Sequence, residues 1–256
     1  MDLIHKYMNF QQFVGLVETQ CSYLTQVDKW EDPYEKRTTL QHAVPPFFRG
    51  AVKGLELHAL RQLYAQCWTT GGESDAMWRI YSDKFGVRIS AEKSVVASAI
   101  DSTLVAMMPS GFKSHSNIDH FPVIYDEPFD PDSIVDGDKY SLDARKATQY
   151  KREAFSHERE YRFALRLLLD PAIVEAKIAG LQMKEAVDMK EAIMNQAKFP
   201  ESLAYDFRNE QIVEVLLDPR APRYFINTFI KYCEGRGFVG KGIKYRHSDL
   251  YRLELS

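Results

Sequence analysis

From Glu158 onward the chain EREYRFALRL alternates with a period of two. Glu158, Glu160, Arg162, Ala164 and Arg166 fall on one side; Tyr161, Phe163, Leu165 and Leu167 fall on the other. Successive side chains of a strand point to opposite faces, so this pattern predicts a half-buried strand with its aromatic and leucine side toward the core. The preceding LDARKATQYKREAFSHE carries alanine and charge without glycine or proline, which predicts a helix feeding that strand. Asp170-Pro171 ends it. Glu158 and Glu160 therefore share the strand's polar face, whereas on a helix they would point about 200° apart.

The rest of the chain reads in the same way. LIHKYM predicts a first strand, and Asn9 caps a helix from Phe10 with Phe13, Val14 and Val17 on one stripe. SYLTQV predicts a second strand, running into the turn-rich DKWEDPYEK. HAVPPFFRG is a loop, because paired prolines exclude a regular element. VKGLELHALRQL reads as helix and LYAQCWTT as strand, after which Ser74 or Asp75 caps a short helix carrying Met77, Trp78 and Tyr81. Strand FGVRISA, helix AEKSVVASAIDSTLVAMM and strand FPVIYDE follow, then the loop DEPFDPDSIVDGDK. Residues 172–197 read as helical, EQIVEVLLD as strand, PRYFINTFIKYCE as helix and KYRHSDLYRLEL as a closing strand. Strands and helices do not alternate regularly, and several strand pairs are separated by long connections. The expectation is an α+β fold, mixed but mainly antiparallel in its sheets with peripheral helices, forming one domain over residues 1–256.

Composition narrows the function classes only a little. A formal charge of -3 gives no global attraction to nucleic acid, although Lys151, Arg152, Arg159, Arg162 and Arg166 predict a local basic patch. No run of 18 or more apolar residues predicts a membrane span, and MDLIHKYMNF lacks the charged-then-apolar layout of a signal peptide. Cys21, Cys67 and Cys233 show no CxxC spacing, which fits a reducing compartment. A soluble cytoplasmic protein is the expectation.

Several short motifs are candidates for chemistry. GRGFVGKG (235–242) matches GxGxxG but follows a helix and precedes a strand, the reverse of a phosphate-binding loop, so it reads as a helix C-cap and turn. His115 and His120 in HSNIDH fit neither one helix face nor a zinc spacing, and no metal is expected. Trp78 and Tyr81 share a helix face, either as core or as a ring wall for a flat ligand. KWEDPYE sets Trp30, Asp32, Tyr34 and Glu35 on a turn built by Asp-Pro, which suits a clamp or a solvated loop. Glu158 and Glu160 form the only ExE in the chain, with Arg162 beside them.

Taken in order, Lys6-Tyr7, Asp32-Pro33-Tyr34-Glu35, Met77-Trp78-Arg79-Ile80-Tyr81 and Lys151…Glu158-Arg159-Glu160-Tyr161-Arg162 resemble the pattern of a large bacterial family of unknown function. The element layout also resembles the ADP-ribosyltransferase fold, in which a first strand and a late glutamate-bearing strand border the NAD site. That second resemblance implies an NAD-dependent ADP-ribosyltransferase acting on a macromolecule, protein or nucleic acid, of the toxin or antiphage-effector type and with an antitoxin as a partner. It implies that Glu160 stabilises the positive charge developing on the ribose and Glu158 positions the acceptor. It further implies that His5, Lys6, Tyr7, Asp32, Tyr34, Trp78, Tyr81 and Arg162 bind NAD, with Arg162 either neutralising the diphosphate or holding Glu160 in its rotamer. The first strand departs from the fold's His-x-Thr or Arg by offering His5-Lys6-Tyr7, with His5 and Tyr7 on one face and Lys6 on the other. Two other readings stay open: a non-catalytic module binding nucleic acid or protein, and an NAD glycohydrolase.

Overall fold

A computed structural model describes residues 2–32, 35, 60–114, 117–125, 145 and 148–252. The expected HAVPPFFRG and DEPFDPDSIVDGDK loops, most of the VKGLELHALRQL helix, and Tyr34 and His115 lie outside the described residues. The fold is α+β, with a mostly antiparallel sheet and several helices.

Strand β1 (Leu3–Asn9) runs into helix α1 (Phe10–Thr19) through a capping box. The Asn9 side chain accepts from the Gln12 N–H, and the Gln12 side chain accepts from the Asn9 N–H, so two otherwise orphaned donors are satisfied. Strand β2 (Cys21–Gln26) leads into a 3-10 turn at Val27–Lys29. Strand β3 (Leu63–Thr69), helix α2 (Asp75–Tyr81), strand β4 (Gly86–Glu92) and helix α3 (Lys93–Met107) follow. The expected FPVIYDE strand is divided into β6 (Asp119–Pro122) and β7 (Ile124–Tyr125), and a short β5 (Phe112–Ser114) precedes them. Strand β8 (Tyr150–Lys151), a 3-10 turn (Glu153–Glu158), strand β9 (Glu160–Leu169), and helices α4 (Pro171–Ile178) and α5 (Met183–Gln196) come next. Strands β10 (Ser202–Asp206) and β11 (Glu214–Leu217), helix α6 (Arg223–Gly235) and strand β12 (Lys244–His247) complete the described chain. GRGFVGKG is the turn between α6 and β12, with Gly237 and Gly242 at φ 70° and 73°, the left-handed region glycine enters without cost.

Two local expectations fail around the glutamates. The segment before β9 is not one helix feeding the strand; it includes β8 and a 3-10 turn. The strand also starts at Glu160, not Glu158, because Arg159 adopts φ 44° and breaks the extended run. Nor is the strand half-buried: Tyr161, Phe163 and Leu165 are buried on one side, and Glu160, Arg162 and Ala164 on the other.

In the sheet order β10-β2-β3-β1-β4-β11-β12, β3 is the junction. Along one edge it pairs with β9 from Leu63↔Arg166 to Thr69↔Glu160. Its other edge is shared: β2 takes the start, through Thr25↔Ala65 and Gln26↔Tyr64, and β1 takes the end, through His5↔Thr69. Gln66, Cys67 and Trp68 have no strand partner on that edge, so the sheet is split there. One sheet face carries the main core, where α1, α3 and α6 bury Phe13, Val96, Ile100, Phe229 and Cys233 against Ile4, Val87, Ile89, Phe163 and Leu165. The other face carries two smaller apolar clusters, one around Val27, Leu63, Phe121 and Ala164, the other joining Tyr7, Met77, Trp78 and Leu216.

Candidate active site

The split in the sheet opens into a cleft of about 830 Å³, within the range of small-molecule sites. Its walls combine β1 (His5, Lys6, Tyr7), β2 (Cys21, Ser22, Tyr23), the unpaired part of β3 and Trp30, with Glu35, Tyr81, Lys151, Phe155, Glu158 and Glu160 completing it. Because the cleft follows a strand edge, side chains from both faces of β1 reach it.

At the split the Gln66 amide does what the missing backbone ladder does elsewhere. Its Nε2 donates to Ser22 Oγ (2.7 Å) and to the Tyr23 carbonyl (2.9 Å), tying β2 to β3. Its Oε1 accepts from Trp68 Nε1 and Tyr205 Oη, both at 2.7 Å. The Lys6 ammonium lies 5.8 Å from the centre of the Trp68 ring and meets no carboxylate among the described residues. Burial lowers its pKa to about 8, with the nearby Cys67 opposing the shift. His5 donates to or accepts from Ser90 Oγ at 2.8 Å; burial and, after it, the Arg88 charge bring its pKa down to about 4, so the ring is neutral at pH 7.

Four buried charges, Glu35, Glu158, Glu160 and Arg162, and the partly buried Lys151 gather at one end of the cleft. Arg162, 1% exposed, donates through Nε to Glu160 Oε1 (2.8 Å) and through Nη2 to Glu160 Oε2 (3.0 Å). It also donates to Glu35 and to the Thr148 carbonyl (2.5 Å), and its guanidinium stacks 4.5 Å from the Trp30 ring centre. Lys151 Nζ donates to Glu158 Oε2 (2.6 Å) and Glu160 Oε2 (3.1 Å). Tyr81 Oη donates to the other Glu158 oxygen at 3.1 Å. Three acids against two bases leave one net negative charge at the cleft end.

Burial alone would raise the pKa of Glu160, but Arg162, Lys151 and a hydrogen bond from the Cys67 thiol hold it down to about 2. Burial wins at Glu35, whose pKa lies above the usual carboxylate range in spite of Arg162 and Lys151. Lys151 is opposed by burial, yet Glu160, Glu35 and Glu158 together raise its pKa. Two carboxylates whose environments separate their titrations are the arrangement acid–base chemistry uses.

The backbone explains how Glu158 and Glu160 meet without sharing a strand. The Glu153–Glu158 turn carries Glu158 back toward the cleft, and the left-handed Arg159 then launches β9. The Arg159 carbonyl is pinned to the end of β3 by the Thr70 N–H (2.9 Å) and Thr70 Oγ1 (3.1 Å). Two residues apart, one on a turn and one on a strand, the side chains converge on a single ammonium.

Of the other candidates, Tyr81 and Asp32 line the cleft, and Asp32 pairs with Arg152 at 3.1 Å. Trp78 does not. It is fully buried, packed edge-on against Tyr7 at 4.8 Å, with Nε1 donating to Glu73, so it supports the cleft floor and cannot stack on a ligand. Arg162 is likewise no diphosphate anchor, because it chelates Glu160 from beneath. Of the expected basic patch, Lys151 and Arg162 are held in ion pairs, Arg152 meets Asp32 and Arg166 donates to Gln62 at 2.9 Å, while Arg159 is exposed. Sequence reasoning gave no role to Cys67 or Gln66, and set Glu35 only on a clamp or solvated loop. Cys67 and Arg162 face each other across β3 and β9, a register that no local pattern encodes.

One family pattern, described as "Protein of unknown function (DUF2971)", matches residues 77–163, from the Met77-Trp78 helix through the Glu158–Arg162 segment into β9. No curated protein matches the chain, and no solved structure does. Among the described residues no helix is long and apolar enough to cross a membrane, and no group of three metal-ligating side chains is present.

Proposed function

We propose that the cleft binds NAD and that the protein transfers ADP-ribose from it to a macromolecular acceptor. The observation that carries this reading is an ionised, nine-tenths-buried Glu160 at the end of a cleft formed where β1 and β2 part along β3. The residues present suit the dinucleotide. Trp30, Tyr23 and Phe155 offer flat rings, and Lys6 is a cation without a carboxylate partner among the described residues, suited to a diphosphate. Breaking a bond to the anomeric carbon of ribose develops positive charge on the sugar, as in glycoside hydrolysis. A carboxylate fixed in a low-dielectric site stabilises that charge best when it is already ionised and oriented. Arg162 and Lys151 do both for Glu160. Glu158, held by Tyr81 and Lys151, stands beside it to orient the acceptor.

The test is incubation of labelled NAD with cell extract, comparing wild type with Glu160→Gln. The substitution preserves shape and removes charge, so label transfer is expected to fall at least about a hundredfold, the scale of losing one preorganised electrostatic group. Equal transfer by the two proteins refutes the reading. Release of free ADP-ribose as the sole product selects hydrolysis without an acceptor.

A further inference from the structure

We propose that Lys151 is a positioning residue for the glutamate pair, its ammonium holding Glu158 and Glu160 side by side at the end of the cleft. The geometry is that of a bridge. One nitrogen donates to an oxygen of each carboxylate, at 2.6 and 3.1 Å, and lies 3.9 Å from Glu35. Arg162 cannot substitute, since its donors are directed at Glu160, Glu35 and the Thr148 carbonyl and none reaches Glu158.

The mount of this lysine is built for placement. Lys151 ends a two-residue strand, β8, which pairs in parallel with β7 through Ile124↔Tyr150 and Tyr125↔Lys151. That ribbon is tied to the first residue of β9 from both sides. The Val123 N–H donates to the Glu160 carbonyl (2.9 Å), and the Glu160 N–H donates to Tyr125 Oη (2.8 Å). Phase and height of the ammonium are thereby set by the same residue whose carboxylate it contacts. The Phe155 ring, 4.7 Å away, supports it from the turn that carries Glu158. The charged and titratable groups facing it are Glu35, Glu158 and Glu160, with Tyr81, Tyr125 and Arg162 next to them; Arg152 shares the Phe155 ring but pairs with Asp32. An ammonium that contacts both carboxylates offsets the Coulomb repulsion between them.

The experiment compares Lys151→Met with Lys151→Arg. Its first readout is ligand-free: the carboxyl 13C titration of Glu160, assigned by its loss in Glu160→Gln. In wild type Glu160 stays ionised to well below pH 4; in Lys151→Met the midpoint is expected to rise by about 1–3 units, and Lys151→Arg to keep it low. The second readout, which rests on the NAD reading, is the pH profile of label transfer. Its acid limb should move upward in Lys151→Met and return in Lys151→Arg, whereas a merely structural lysine would lower the plateau without moving the limb. An unmoved Glu160 midpoint in Lys151→Met overturns the proposal. If no variant transfers label, the NAD reading fails and the titration alone decides the role of Lys151. If Lys151→Met does not fold, Lys151→Met/Glu158→Gln is compared with Glu158→Gln, and the same rise in the Glu160 midpoint is required.

Discussion

Replacing Arg162 by Met tests whether the buried cluster is held together as the distances imply. The methionine fills much of the space but supplies no donor. It removes two hydrogen bonds to Glu160, one to Glu35 and one to the Thr148 carbonyl, and it leaves three carboxylates facing Lys151 alone. Breaking a buried pair by deleting one partner costs about 3–5 kcal/mol, because the other charge remains desolvated. For a chain of this length that corresponds to a fall in Tm of roughly 6–20 °C. The pH dependence is the sharper signature. In wild type the folded pKa of Glu160, about 2, lies below its unfolded value of 4.5, so its contribution is complete above pH 4.5 and is lost as pH falls toward 2. In Arg162→Met burial dominates and the folded pKa rises above 4.5. The folded state then binds the extra proton, and stability rises as pH falls. Urea unfolding at pH 7 and pH 5 should show the deficit of the variant shrinking by about 1 kcal/mol or more. A deficit below about 1 kcal/mol at pH 7, or one that does not narrow at pH 5, refutes the idea of a charge cluster that depends on Arg162.

Two further outcomes follow from neighbouring residues. His5 is neutral when folded, with its pKa lowered to about 4 against 6.5 unfolded, so the unfolded state binds more protons between those values and stability falls as pH drops from 6.5 to 4. His5→Gln should flatten that slope by up to about 2 kcal/mol, allowing for the ring's partial exposure, and an unchanged slope in thermal melts from pH 7 to 4 contradicts it. Gln66→Leu leaves Trp68 Nε1 and Tyr205 Oη without their buried acceptor and should cost about 2–4 kcal/mol in urea unfolding, where a loss under about 0.5 kcal/mol would mean that the side chain does not bridge the split.

Much of the fold was legible because its signals are local. The β1–α1 junction could be read from Asn9 and its partner three residues on, and β3 and β4 from apolar runs bounded by turns. β10 was missed because only Leu203 and Tyr205 of its five residues face the core, too short an alternation to separate from the charged helix before it. The closing strand was read too long for the opposite reason: DLYRLEL continues an apolar pattern, but residues 248–252 turn away, with Ser248 and Tyr251 bonded to Glu73 and Asp75 beside α2. The cleft itself was not legible. A split in a sheet depends on which strands pair where, and nothing within LYAQCWTT marks Gln66–Trp68 as the stretch left without a partner. The fate of Trp78 was hidden in the same way, since helical spacing places it on a face but residues far along the chain, Tyr7 and Leu216, make that face the interior.

The start of β9 shows how a mistaken element can still bring the same two side chains together. Period-two alternation placed Glu158 and Glu160 together as strand neighbours; the chain instead folds Glu158 back on a 3-10 turn and passes through a left-handed arginine. A non-glycine residue in that region costs on the order of 1–2 kcal/mol, and neither glycine nor asparagine is there to reduce it. On either side of Arg159 in sequence, Glu158 and Glu160 belong to a cluster of four buried charges and the partly buried Lys151, where apolar side chains of similar volume would fold as well or better. Backbone strain and buried charge are thus placed together at the mouth of the one stretch of β3 that lacks a partner on its β1/β2 edge. Gln20, Asp83 and Lys84 also take positive φ among the described residues, but of the four Arg159 alone lies between the two glutamates of the charge cluster, and strain held beside buried charge motivates a search for function there. The extended geometry would have spaced the carboxylates along a ribbon, whereas the turn brings them to one ammonium.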